Sequence, residues 1–155
     1  EYTNKVEQLY NQYSLCNPCP VLHMTTEEAS FVKYTINSFL ATKVTFFNQL
    51  YDAVEDTTAN FATIIKAVGM DSRIGSSHTR APGFDGKQGY GGACFPKDVS
   101  AFTNYNKRLT LLKEVSIINN MYRQQYEMDE REIEQHVNYG QIKEELKDQI
   151  DGYPV

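Results

Sequence analysis

Apolar residues recur at three- and four-residue steps between residues 26 and 55, a stretch without glycine or proline. The positions are Ala29, Val32, Ile36, Phe39, Leu40, Phe46, Phe47, Leu50 and Val54. This spacing predicts an α-helix of roughly 30 residues, about 45 Å long. Thr25 and Glu28, three residues apart, predict a capping box at its start. Because the helix is long and its apolar face is broad, we expect it to pack against a second copy of the chain.

The segment before this helix carries two shorter patterns. Apolar positions at helical spacing predict a first helix, and they are Val6, Leu9, Tyr10 and Tyr13. Residues 20–24 form an apolar run of strand length. A helix followed by a strand is typical of the end of an α/β domain, so we interpret residues 1–24 as the closing part of such a domain.

Further helices are predicted after the long one. Residues 61–68 form a short amphipathic pattern that Gly69 ends. A helix is expected to begin at Pro96, and another covers residues 111–122. From residue 127 onward the chain is strongly charged. A narrow apolar stripe there predicts a final helix, interpreted as solvent-exposed rather than partner-binding, from Ile142, Leu146 and Ile150.

Composition and charge narrow the class of protein. The 155 residues are 41% hydrophobic, enough for one core, and carry a net charge of −5 without a basic cluster. Nucleic acid and anionic membrane are therefore disfavoured as partners. No apolar run reaches the ~20 residues of a membrane span, and no signal-peptide pattern opens the chain. These features predict a soluble, cytoplasmic protein, and a start at Glu1 predicts a fragment or processed form.

Two of the three cysteines lie close together near the N-terminus. Cys16 and Cys19 precede His23 by a spacing that allows a zinc or redox site. Zinc normally needs four ligands, and no second pair follows at matching spacing; a redox pair would be followed by a helix rather than a strand. Three cysteines are also too few for a disulfide framework. We predict a plain turn here and no metal.

The third cysteine, Cys94, lies just after the glycines of residues 89–98, Gly-Tyr-Gly-Gly-Ala-Cys-Phe-Pro-Lys-Asp. Three glycines allow positive φ and close approach to a bound molecule. Because Pro96 suits a first helical turn, Cys94 is expected at a helix N-terminus beside Lys97, and both neighbours favour the thiolate. The alternative is that Cys94 is a small buried residue and that the glycines only make a tight turn.

This stretch closely resembles the nucleophile loop of the UDP-glucose/GDP-mannose dehydrogenase family. Residues 28–48 resemble the central helix of that family, in which a lysine and an asparagine four residues later enter the active site; these are Lys33 and Asn37. Asp-Ser-Arg-Ile-Gly at 71–75 is similar to a segment whose arginine, here Arg73, reaches the sugar nucleotide of the neighbouring subunit. The loop sequence at residues 89–98 resembles that of the UDP-glucose members more than that of the members that use GDP-mannose or UDP-N-acetylmannosamine.

The resemblance implies a mainly α-helical fold with a long dimerisation helix, like the C-terminal domain of 6-phosphogluconate dehydrogenase. Residues 1–24 would then be the last helix and strand of a Rossmann-type NAD-binding domain, residues 25–126 the central domain, and residues 127–155 a charged helical extension. A homodimer would form through residues 26–55. The sequence has no Gly-x-Gly-x-x-Gly unit, so NAD would be bound mostly by a domain absent from this chain, which alone should be inactive.

The implied reaction oxidises C6 of UDP-glucose to UDP-glucuronic acid in two NAD-dependent steps through a cysteine thiohemiacetal and thioester. The implied catalytic residues are Cys94, Lys33, Asn37 and Asp98. The resemblance also implies that the substrate is contacted by Arg73, Tyr90 and Gly91 and that the cofactor is contacted by Lys97. Alternatives left open are another nucleotide-sugar dehydrogenase, or a non-catalytic helical dimerisation module that kept the fold and lost the chemistry.

Overall fold

The computed structural model of the protein describes residues 2–140. Within them lie six helices: α1 (Tyr2–Tyr13), α2 (Thr26–Glu55), α3 (Phe61–Gly69), α4 (Phe95–Tyr105), α5 (Thr110–Arg123) and α6 (Glu130–Glu134). The prediction of a mainly α-helical fold is confirmed, and α2 has the predicted bounds. None of the helices in the described part is long and apolar enough to cross a membrane.

The strand predicted at residues 20–24 is not formed, and this stretch has no regular secondary structure. A β-strand is stabilised by hydrogen bonds to a neighbouring strand. No strand occurs anywhere in residues 2–140, so an apolar run at this place has no backbone partner among them. The strand prediction rested on the length and apolar character of the run, but strand pairing depends on residues far away in the chain.

The chain divides into two compact units, one ending at Lys33 and the other beginning at Tyr34. The first unit contains α1 and the first two turns of α2. The predicted capping box opens α2: the Thr25 N–H donates to Glu28 Oε2 over 2.7 Å, and the Glu28 N–H donates to Thr25 Oγ1 over 3.2 Å. The start of the long helix is therefore fixed by its own sequence.

The core of the second unit forms where α2, α4 and α5 meet the glycine-rich loop. Its buried members are Ala41, Tyr90, Val99 and Val115, with Val44 and Phe95 packed against them. On α2, Ala41 and Val44 are three residues apart, and on α4, Phe95 and Val99 are four residues apart, so each pair lies on one helix face. Helix α4 contacts α5 directly. The loop is thus part of the core rather than a surface connection.

The segment after α5 is also folded. Asp129 caps α6 with a capping box, accepting from the Glu132 N–H over 2.8 Å while its own N–H donates to Glu132 Oε2 over 2.9 Å. Val137, Tyr139 and Glu132 are buried. Although the chain is strongly charged from residue 127 onward, residues up to 140 therefore contribute to the core of the second unit. The helix predicted from Ile142, Leu146 and Ile150 lies outside the described residues.

Candidate active site

Side chains from three helices hold the backbone of the glycine-rich loop. The Gly89 N–H donates to Asn48 Oδ1 of α2 over 3.1 Å. Asn119 of α5 bonds both backbone groups of Tyr90, accepting from its N–H over 2.6 Å and donating to its carbonyl over 3.0 Å. The Gly92 N–H donates to Glu132 Oε1 of α6 over 3.0 Å. Because these groups are buried or half-buried, the loop has one well-defined conformation.

The glycines of the loop are required for two different reasons. Gly89 and Gly92 have φ of 77° and 74°, where a side chain is strained. Gly91 is needed for space, because a Cβ there would lie 2.5 Å from Cζ of Arg123. The loop backbone therefore rests directly on a buried arginine.

Cys94 occupies the N-cap position of α4, with Pro96 in the first turn behind it. The Asp98 N–H donates to the Cys94 carbonyl over 2.9 Å, and the Cys94 side chain makes no capping bond. The residue is exposed. These observations match the prediction of a cysteine at a helix N-terminus and disfavour the alternative of a small buried residue.

Asp98 lies one turn into α4 with its side chain only 1% exposed. Asn37 Nδ2 of α2 donates to Oδ2 over 2.5 Å, and Lys97 Nζ donates to Oδ1 over 2.6 Å. Lys97 itself is 46% exposed. The structure therefore brings Asn37 of α2 together with Lys97 and Asp98 of α4, the helix that Cys94 caps. Lys33 lies on α2 one helical turn before Asn37, in the first unit.

The other predicted substrate residues differ in exposure. Tyr90 is buried, its ring meeting Phe95 edge to face at 6.1 Å between centroids, and burial raises the pKa of the phenol. A ligand at this loop would therefore meet the half-buried backbone at Gly91 rather than the Tyr90 ring.

Arg73 stands on a turn fixed to α2. Lys43 Nζ donates to the Ile74 and Gly75 carbonyls over 2.7 and 3.3 Å, which holds the turn. Arg73 pairs with Asp71 over 2.6 Å and is 87% exposed. Its guanidinium is thus presented to solvent on an anchored turn.

A buried ion pair that the sequence analysis missed lies behind the loop. Arg123 Nη2 is 2.7 Å from Glu132 Oε1, and both side chains are 1% exposed. Arg123 Nη1 also pairs with Asp85 over 2.8 Å, and the Tyr139 hydroxyl donates to Glu132 Oε1 over 2.5 Å. Burial opposes ionisation of Glu132, but hydrogen bonds from Tyr139, Asp129, Gly92 and Arg123 together lower its pKa to about 2.

Signals for these residues were present but weak. Asn48 lies four residues after Val44 and Asn119 four residues after Val115, so each asparagine shares a helix face with a valine. Asp129 and Glu132 have the spacing of a capping box.

Asp52 of α2 anchors the start of the loop through hydrogen bonds to its carboxylate. The Tyr122 hydroxyl donates to Asp52 Oδ2, and Gln88 Nε2 donates to Asp52 Oδ1 over 2.6 Å. Burial and the neighbouring Asp52 carboxylate raise the pKa of Tyr122. Gln88, the residue before Gly89, is therefore bonded to Asp52 of α2 and linked through Asp52 to Tyr122 of α5.

The first unit contains Cys16, Cys19 and His23, whose spacing allows a zinc or redox site. Both ring nitrogens of His23 have partners on α1, Thr3 Oγ1 at 3.0 Å and Glu7 Oε2 at 2.8 Å. Cys16 and Cys19 are exposed and free. Within residues 2–140 no three His, Cys, Asp or Glu side chains are grouped to hold a metal ion.

Acid should weaken the fold through Glu132. Its pKa is about 2 in the folded protein against 4.5 ordinarily, so its stabilising contribution is full above pH 4.5 and is lost as the pH falls from 4.5 to 2. The shift corresponds to about 3 kcal/mol of unfolding free energy. Urea unfolding at several pH values measures it. Glu132→Gln should flatten this dependence and Glu134→Gln on the same helix should not; equal curves for all three proteins would contradict the prediction.

Comparison with known proteins gives consistent matches. Residues 27–121 match the central domain of the UDP-glucose/GDP-mannose dehydrogenase family. UDP-glucose 6-dehydrogenase YwqF of Bacillus subtilis (strain 168) is 35% identical over 121 residues, covering 76% of this chain and 26% of that protein. The UDP-glucose 6-dehydrogenases of Rhizobium meliloti (strain 1021) and Rickettsia prowazekii (strain Madrid E) are 40% and 44% identical over 85 residues, covering 55% and 54% of this chain. In each of these last two, the match covers 18% of the relative.

Proposed function

The chain belongs to the UDP-glucose/GDP-mannose dehydrogenase family, and from this premise we propose that it is the central, catalytic part of an enzyme that oxidises C6 of UDP-glucose to the carboxylate. The observation that carries the proposal is the exposed Cys94 at the start of α4, one turn before an Asp98 buried between Asn37 and Lys97. In this proposal residues 25–126 form the central domain and residues 1–24 end the preceding NAD-binding domain.

Cys94 is the nucleophile in this mechanism. Its thiolate adds to the carbonyl carbon of the C6 aldehyde and forms a thiohemiacetal, which becomes a thioester when it loses hydride. Water then cleaves the C–S bond, releasing the carboxylate and restoring the thiol. The exposure of Cys94 and its lack of a capping bond support this role, because the sulfur is accessible and uncommitted.

Asp98, Asn37 and Lys33 have supporting roles. The Asp98 carboxylate accepts the proton of the C6 hydroxyl, and later that of the hydrolytic water, directly or through a second water. Asn37 holds Asp98 in place and, with the Lys33 ammonium, stabilises the oxyanion formed at C6. The assignment of Lys33 rests on the family pattern, in which it stands four residues before Asn37.

NAD⁺ supplies the chemistry of hydride acceptance in both oxidations. The half-exposed ammonium of Lys97 fits an anionic group of this cofactor, since its partner Asp98 leaves part of it open to solvent. No glycine-rich dinucleotide motif occurs in the sequence, so we assign the main NAD site to another domain. Lys97 would then orient the cofactor from the side of α4.

The proposed enzyme is a homodimer through residues 26–55. Large apolar side chains of α2 support this, since Ile36, Phe39 and Phe46 are exposed. Arg73, anchored on its turn and open to solvent, would reach the UDP-sugar of the partner subunit. The backbone at Gly91 would contact the sugar. The cytoplasmic location stays a prediction from the sequence.

The test is NADH formation by the product of the complete reading frame. UDP-glucose, GDP-mannose and UDP-N-acetylmannosamine are offered separately with NAD⁺. We expect two NADH for each UDP-glucose consumed, because an alcohol is carried to an acid. If GDP-mannose or UDP-N-acetylmannosamine is turned over and UDP-glucose is not, that sugar nucleotide replaces UDP-glucose as the proposed substrate. No turnover with any of them would favour a non-catalytic helical module.

A further inference from the structure

Glu132 is the most fully buried charged residue near the loop, yet it lies outside the stretch that matches the family, residues 27–121. Its Oε1 receives three hydrogen bonds: from Arg123 Nη2 over 2.7 Å, from the Tyr139 hydroxyl over 2.5 Å and from the Gly92 N–H over 3.0 Å. Its Oε2 receives the Asp129 N–H. One carboxylate therefore joins α5, α6 and the segment after α6 to the loop.

The loop backbone also touches this ion pair through van der Waals contact. Gly91 packs so closely on the Arg123 guanidinium and on Glu132 that no Cβ would fit. A shift of the ion pair would therefore move the loop backbone, since the core around both is close-packed. Asp85 holds the other side of the guanidinium and limits such a shift.

Gly92 lies two residues before Cys94, and its φ of 74° directs the chain into α4. The one hydrogen bond described for the N–H of this glycine is donated to Glu132 Oε1. We propose that Glu132 is a positioning residue for Cys94: with Arg123 and Tyr139 it fixes Gly91 and Gly92, and so the place of the thiol. This inference rests on the proposed function, in which Cys94 is the nucleophile.

An ionised carboxylate is needed at this place because three donors converge on one oxygen. In a Glu132→Gln variant the side-chain amide has one neutral oxygen, which is a weaker hydrogen-bond acceptor than a carboxylate oxygen. Its NH₂ group replaces the other oxygen and faces hydrogen-bond donors. The Gly92 bond is the weakest of the three by length, so it should loosen first. Misplacement of a nucleophile by even ~1 Å lowers the rate of attack far more than it lowers substrate binding.

The experiment compares the wild-type protein with Glu132→Gln and Tyr139→Phe. Glu134→Gln is the matched control, because it makes the same change on the same helix at an exposed residue. Amide hydrogen exchange of Gly92 and Tyr90 is followed by NMR together with the amide resonance of Cys94. The variants are also made in the product of the complete reading frame to measure kcat and KM for the sugar nucleotide.

For Glu132→Gln we expect Gly92 exchange to accelerate about tenfold or more, the Cys94 resonance to shift, and kcat to fall about tenfold or more while KM changes less than about threefold. Tyr90, held by Asn119, should change little. Tyr139→Phe removes one donor and should give smaller changes in the same direction, which keeps the test informative if Glu132→Gln does not fold.

Two results would overturn the inference. One is unchanged exchange at Gly92 and an unchanged Cys94 resonance in folded variants. The other is a loosened loop with unaltered kcat, which would make Glu132 structural only. Absence of turnover in the wild-type protein would instead reject the proposed function, and the exchange and resonance data would still decide whether Glu132 fixes the loop.

Discussion

Cys94→Ser is expected to lower formation of the carboxylate product by about 10³-fold or more in the product of the complete reading frame. A serine hydroxyl is a far weaker nucleophile at neutral pH than a thiolate. No described hydrogen bond joins the Cys94 side chain to a base that would activate a hydroxyl in its place. The substitution is nearly isosteric at an exposed N-cap position, where serine is favourable, so the fold should be kept. The measurement is the acid product itself, together with steady-state NADH.

Cys16→Ser is the matched control, because it makes the same change at an exposed cysteine of the first unit. It should leave product formation within about twofold of wild type, as a surface substitution away from any buried contact. A Cys94→Ser variant that keeps more than a tenth of the wild-type rate would contradict the nucleophile assignment. In the proposed mechanism the oxidation of the alcohol to the aldehyde needs Asp98 rather than the thiol. We therefore expect Cys94→Ser to keep the first hydride transfer while formation of the carboxylate is lost.

The elements that the sequence predicts best are those fixed by local interactions. The capping box at Thr25 and Glu28 and the unbroken apolar spacing after it define α2 without reference to the rest of the chain. Pro96 in the same way marks the first turn of α4 and so the position of Cys94. These features depend on residues within one or two turns, and the structure agrees with them.

The features that the sequence does not predict depend on distant partners. The apolar run at 20–24 has the composition of a strand but no strand to pair with in residues 2–140. Glu132 lies among exposed charges along the chain, and only the fold shows that Arg123 and Tyr139 surround it. A buried charge and a solvated charge are identical in sequence, because the difference lies in residues brought together by folding.

Arg123→Met is expected to destabilise the protein by about 3–5 kcal/mol, because it leaves the Glu132 carboxylate buried without its cation. Methionine roughly fills the volume of the arginine stem, so most of the loss comes from the unpaired charge rather than from a cavity. Asp85 is more exposed and can be solvated when its partner is removed. Urea unfolding at pH 7 measures the free energy of unfolding. Arg131→Met is the control, because Arg131 is 75% exposed and its ion pair with Asp129 is long, at 3.7 Å.

The control should cost less than about 1 kcal/mol, as exposed ion pairs contribute little. The double variant Arg123→Met with Glu132→Gln separates charge from packing: if the unpaired carboxylate causes the loss, neutralising it should restore about 1 kcal/mol or more relative to Arg123→Met alone. Additive losses in the double variant would show that the two residues stabilise the fold independently. In that case the loop would depend on its contacts with Asn48 and Asn119 more than on the ion pair behind it.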